Sequence, residues 1–156
     1  MTKFTALYDA CVLYPPSMRD LLIQLAVDGL HRAKWSEKIH SEWIRNALIN
    51  NPHLNIETLT KTKELINNAV LDCLVEDFHE LEASLNLPDE NDKHVLAAAI
   101  VSHSDVIVTY NLKDFPRGSL EKYGIEAQHP DIFLLHLLEL NQHIVIKSIQ
   151  AIYKKA

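Results

Sequence analysis

At 156 residues the chain fits a single domain whose core needs no disulfide or structural metal to hold it together. Hydrophobic residues make up 47% and charged residues 23%, with only three glycines and six prolines, which excludes a low-complexity or disordered chain. A net charge of −6 excludes a broadly basic surface that grips nucleic acid by counterion release, so any such binding needs a cation, local basic patches or a basic partner.

The apolar run Phe4 to Tyr8 predicts a first strand, buried on both faces. Pro15-Pro16 breaks the chain, and Ser17 is placed to cap a helix over Met18 to Val27 that Gly29 ends. Ala33 to Trp35 reads as a short second strand. Ser36 then caps a helix reaching about Asn50, and Pro52 bars its continuation. A helix from Ile56 to Val70, an extended segment at Cys73 to Val75 and a helix over Asp77 to Leu85 follow. Asn91 to His103 reads as helix, Val106 to Thr109 as a strand and Ile125 to Ala127 as a weaker strand. Two helices, Asp131 to Leu140 and Gln142 to Tyr153, close the chain. Strands alternating with helices predict an α/β fold with βαβ units and a parallel sheet. Sites in such sheets form outside the carboxyl ends of the strands, where Asp9 and the Asn111 to Asp114 loop both fall.

Cys11 and Cys73 sit among apolar residues and read as reduced, buried thiols. The start, Met1-Thr2-Lys3-Phe4, has no signal-peptide core, and no apolar run approaches the roughly 18 residues of a membrane span. A cytoplasmic protein is the expectation.

Four stretches place acids where a soluble fold does not need them. Asp9 directly follows the first strand, and the prolines before the next predicted helix leave it poorly placed as a cap. Glu42 stands at the border of an apolar helix face, within reach of Arg45 and Asn46, so a surface Glu–Arg pair explains it equally well. Asp89, Glu90 and Asp92 open an apolar helix; Asp89 suits the cap and Asp92 the first turn, yet together they exceed what a helix start needs. Asn111 and Asp114 fall in a segment that a polar turn also explains. Carboxylates at buried strand ends are costly without a positive partner, and a divalent cation is the natural one. The nine histidines show no His-Glu-x-x-His or paired-cysteine spacing, which disfavours zinc. His136 and His143, in apolar helices, read as packed or interfacial. There is no Walker loop, dinucleotide fingerprint or nucleophile elbow, and Asp9 lacks the second acid of an Asp-x-Asp phosphatase.

Several segments, in this order, carry a family resemblance. They are Tyr8-Asp9-Ala10-Cys11-Val12-Leu13-Tyr14-Pro15 with Arg19-Asp20-Leu21-Leu22, and Trp35-Ser36 with Glu42 and Arg45-Asn46. Pro88 to Ala99 and Val106 to Pro116 complete the set. Together they resemble a PIN domain of the VapC-like ribonucleases of bacterial toxin–antitoxin modules, over about residues 4 to 127. The resemblance implies a three-layer α/β/α fold with a mainly parallel sheet of four to five strands. It implies a PIN domain over residues 1–128 and a helical extension, 129–156, packed on it. It implies metal-binding acids at Asp9, Glu42 and Asp92, where Mg²⁺ or Mn²⁺ would serve hydrolysis of RNA by an activated water. The family's fourth acid falls on Asn111, so Asp114 is the nearest substitute, and Thr109 and Asn111 take supporting roles. Arg19, Arg45, Lys93 and Lys113 lie near the acids in sequence and are candidates for holding RNA phosphates, though each also reads as a solvated surface charge. A cognate antitoxin is the implied partner. Ile132 to Leu140 is apolar nearly all round, which suits either a homodimer or an antitoxin groove, or a helix that simply wraps the sheet. The competing function is a non-catalytic PIN-like module that binds RNA or protein, its metal site weakened by Asn111.

Overall fold

The first predicted strand forms at Thr5–Tyr8 (β1) and pairs on both sides, with Arg32–Lys34 (β2) and with Val106–Val108 (β3). Glu126–Gln128 (β4) lies outside β3, giving four parallel strands in the order β2-β1-β3-β4. This is a computed structural model, and it describes residues 4–155. Every residue of β1 and β3 is buried, as expected for central parallel strands covered on both faces. Trp35 extends the β2 edge by bridging to Leu74, so the extended segment predicted at Cys73 to Val75 is one isolated pairing.

The helices are Ala10–Leu13 (α1), Pro16–Val27 (α2), Glu37–Asn50 (α3), Ile56–Ala69 (α4), His79–Glu82 (α5), Lys93–Val101 (α6), Arg117–Leu120 (α7), Pro130–Leu140 (α8) and Gln142–Lys155 (α9). α6 packs on β1 and β3 and is backed by α5. Its Val95 to Ala99 are fully buried, which explains an apolar sequence with no polar face. The second group of helices is built around α2, which lies against β2, α1, α4 and α9. Phe133 of α8 is buried edge-on to both Phe4 and His31, pinning the C-terminal helices to the sheet. Filling such a site with a phenylalanine is worth about 3 kcal/mol.

Several expectations need correction. Asp9 does cap a helix: its Oδ1 accepts from the Ala10 amide at 2.8 Å, because a four-residue helix fits in the gap before Pro15. Ser17 caps nothing, since α2 starts at Pro16, whose missing N–H suits the first helical position. The helix predicted over Asp77 to Leu85 shrinks to α5, because Asp77 takes φ 58°, outside the helical region. The segment predicted as helix from Asn91 begins instead with a single 3-10 turn, Glu90–Asp92, and α6 ends at Val101 before His103 turns at φ 55°. Cys73 is buried, but Cys11 is only half-buried. His136 and His143 are exposed on this chain rather than packed in it. The polar turn read as one alternative at Asn111 to Asp114 forms at Leu112–Asp114, whereas α7 and the turn Glu121–Tyr123 were not predicted.

Ser36 caps α3 as expected, accepting from the Ile39 amide at 3.1 Å. Below it lies a buried polar network. Asn67 Oδ1 accepts from Trp35 Nε1 and from His40 Nε2, each at 2.8 Å, while His40 Nδ1 accepts from Trp43 Nε1 at 3.0 Å. This fixes α4 to α3 and so fixes the helix that carries Glu42. No single described helix is long and apolar enough to cross a membrane.

Candidate acidic site at the carboxyl edge of the sheet

Tyr8 pairs with Val108 and Val108 with Gln128, so Asp9, Thr109 and His129 leave the sheet side by side at its carboxyl edge. The Asp9 amide donates to the Val108 carbonyl at 3.0 Å, continuing the ladder one step. Asp9 is buried, and its Oδ2 accepts from Thr109 Oγ1 at 2.9 Å and from the Cys11 thiol at 3.4 Å. Thr109 Oγ1 in turn accepts from the Asn111 amide at 3.0 Å. Burial raises the Asp9 pKa, the three hydrogen bonds oppose that, and the charge of Glu42 adds to the rise.

Asp92 ends the 3-10 turn that precedes α6, a turn held by Asp89 Oδ1 accepting from the Asn91 amide at 2.9 Å. Its Oδ2 is buried with no hydrogen-bond partner among the described residues. Its pKa is pushed up to about 7, by burial first and then by the charges of Asp9, Asp114, Asp89 and Glu42. The charges of those four carboxylates all disfavour ionised Asp92. Three of them, with Asp92, are the acids predicted as catalytic: Asp9, Glu42 and Asp114.

Glu42 reaches the site from α3. The Arg45 pairing allowed by helix spacing is not formed; Glu42 Oε1 instead lies 2.5 Å from His94 Nε2, in an orientation that makes no hydrogen bond. His94 is fully buried on α6, and neither ring nitrogen has a hydrogen-bond partner among the described residues. Sequence reasoning gave His94 no role. Its only signal was an ionisable side chain directly before the apolar run Val95 to Val101. Of the fourth stretch, Asp114 acts on Asp92 by charge, while Asn111 is tied in through its backbone N–H.

The four predicted phosphate-binding bases divide. Arg19 donates to the Leu13 carbonyl at 3.0 Å and lies over the Trp43 ring, and Lys93 sits 3.7 Å from Glu90. Arg45 and Lys113 are exposed and make no ion pair among the described residues. A cavity of about 700 Å³ lies elsewhere, between α7 and β4, and none of the four acids lines it.

The donor chemistry suits Mg²⁺ or Mn²⁺. It offers hard carboxylate oxygens, two of which, Glu42 Oε1 and Asp92 Oδ2, are buried without hydrogen bonds. Among the described residues, however, no three Asp, Glu, His or Cys side chains are gathered into a ready-made cage. The residues thus fit a cation that keeps several waters and takes one or two direct carboxylates, rather than a closed structural site.

A parallel four-stranded sheet between helices, with acids converging at its carboxyl edge, defines a PIN-like three-layer α/β/α domain. No family model matches the chain. A stretch of 63 residues is 49% identical to a Mycobacterium tuberculosis protein named "Putative ribonuclease VapC50". That stretch is 40% of this chain and spans 37% of the relative's own length.

Proposed function

We propose that the protein is a metal-dependent endoribonuclease of the VapC kind, acting as the toxin of a toxin–antitoxin pair. The observation that carries this reading is Asp92, whose buried oxygen is unsatisfied among the described residues, which feels the charge of four further acids, and whose proton is held up to about neutral pH. The local identity to a VapC protein points the same way. Asp9 and Asp92 would hold Mg²⁺ or Mn²⁺, with Glu42 binding directly or through water and Asp114 supplying charge. Such a cation, when bound, supplies Lewis-acid activation of the phosphodiester and of the attacking water. Thr109 holds Asp9 in one rotamer by its 2.9 Å hydrogen bond. His94 stands behind Glu42 and limits where that carboxylate can point. Arg45 and Lys113 are the bases left to meet phosphate.

Cleavage of a labelled RNA in Mg²⁺ or Mn²⁺ tests the assignment. Asp9→Asn and Asp92→Asn should each abolish cleavage while circular dichroism stays native. Wild-type activity in the double variant would show that the wrong site has been chosen.

The absence of a ready-made cage among the described residues and the Asn at position 111 favour a second reading, a PIN-like module that binds without cutting. Mn²⁺ titration calorimetry separates the two. No heat at millimolar metal, with no cleavage, would select the binding module.

We further read residues 129–156 as an extension that serves association. α8 leaves Leu135 49% and Leu140 65% exposed, and α9 leaves Tyr153 77% exposed. An antitoxin or a second copy would cover them. A monomer by light scattering that captures no antitoxin would remove this part of the proposal.

A further inference from the structure

One feature of the carboxyl edge has no part in holding a cation. Tyr110 follows Thr109 directly, and 38% of it is exposed. Its ring meets the ring of His129 edge to face, centroids 5.1 Å apart and planes at 85°. Such a pair covers only one of its four ring faces. The pair is held at both ends. The Tyr110 amide donates to Cys11 Sγ at 3.4 Å, and the same thiol donates to Asp9 Oδ2. His129 caps α8, its Nδ1 accepting from the Asp131 amide at 3.1 Å.

The strand register gives the distance from the acids. Asp9, Thr109 and His129 close three adjacent strands. At about 4.8 Å per strand, the aromatic pair begins one to two strand spacings, roughly 5–10 Å, from Asp9. That is the reach of a base attached to a nucleotide whose phosphate lies on the acids.

Charge sharpens the point. The chain carries −6, and two of the four basic residues near the acids are engaged within the protein. Counterion release is therefore a poor source of RNA affinity here. Stacking on an aromatic ring needs no positive charge and accepts any base. It does need the base to be unpaired, since bases inside an A-form duplex are already stacked.

We propose that Tyr110, backed by His129, is a stacking platform for one unpaired nucleobase beside the acidic site. This rests on the ribonuclease reading for why RNA comes to the edge at all. The test reads binding apart from cleavage. Fluorescence anisotropy in EDTA compares a labelled single-stranded RNA oligomer of mixed sequence with the same strand annealed to its complement. Wild type should prefer the single strand. Tyr110→Leu, which keeps bulk but loses the π-face, should bind it roughly tenfold more weakly. Tyr110→Phe should bind like wild type. Thermal melting of each variant checks that the sheet edge is intact.

Tyr110→Leu binding as tightly as wild type, Tyr110→Phe losing as much as Tyr110→Leu, or equal wild-type affinity for duplex would each overturn the platform. The two proposals fail separately. Metal-dependent cleavage together with unaltered Tyr110→Leu binding removes the platform and leaves the nuclease. Ring-dependent binding without cleavage in any divalent metal leaves the platform and removes the nuclease.

Discussion

Asp92→Asn should make the metal-free protein more stable, although it removes a residue proposed as essential to its chemistry. The folded protein holds the Asp92 carboxyl near pKa 7 against an ordinary value of 3.8. A pKa raised by folding means that the folded state binds the proton more tightly than the unfolded state. The resulting stability is complete below the unfolded pKa and is lost as pH rises through about 7. Above that, the charged carboxylate works against the fold. Three units at 1.36 kcal/mol each set a ceiling of about 4 kcal/mol. Asp92 is only partly buried, and solvent screening reduces this to about 2 kcal/mol. For a domain of this size that is a rise in Tm of roughly 4–8 °C. Asparagine keeps the shape and removes the charge. Thermal melts in EDTA at about pH 8 should show the gain, and at about pH 5, where wild type is already protonated, the gap should close. Mg²⁺ or Mn²⁺ should raise the wild-type Tm and leave that of the variant nearly unchanged. A variant no more stable than wild type in EDTA at the higher pH would refute the claim that these acids repel one another without a counter-ion.

Two further outcomes follow from buried histidines. His31 is enclosed by Phe4, Tyr8 and Phe133, and burial pushes its pKa down to about 3. Folding therefore favours neutral imidazole: its stability is complete above about pH 6.5 and falls by about 1.4 kcal/mol per unit as pH drops toward 3. Urea midpoints measured across that range should show this slope in wild type and a shallower one in His31→Phe, where the Tyr8 hydroxyl keeps the Leu22 carbonyl at 3.3 Å; identical slopes would mean that His31 is not the group being protonated. His94→Ala should weaken Mn²⁺ affinity by about tenfold, the usual cost of losing a group that orients a ligand. Calorimetry would measure it, and an unchanged affinity would mean that Glu42 needs no such backing.

The strands were legible because central parallel strands must be apolar on both faces, and Phe4 to Tyr8 and Val106 to Thr109 are such runs. The α3 start was legible because Ser36 stands where a capping hydroxyl is needed. Short elements were not. α1 and α7 have four residues each, too few to display a helical period. That is why Asp9 looked unable to cap anything. Asp77 carries a left-handed turn with no glycine to announce it, so α5 was drawn too long. At the site, Asp9 and Asp92 stood out because each adjoins buried apolar sequence. The partners that give the acids their character were hidden, because they come from distant elements. His94 meets Glu42 across two helices, and His129 is aligned with Thr109 only by strand register.

That register ties the site to the history of the chain. The hydrogen bond from Thr109 to Asp9 joins residues 100 positions apart, and β1 cannot complete its pairing until β3 has been made. Contacts of such long sequence separation form late in folding. During synthesis, the first part of the chain can emerge carrying Asp9 and Glu42 without any of the geometry described above. The acidic edge comes into being only after the residues of β3 have cleared the ribosome and closed on β1. On the ribonuclease reading proposed above, a growing chain would carry no assembled site until that closure.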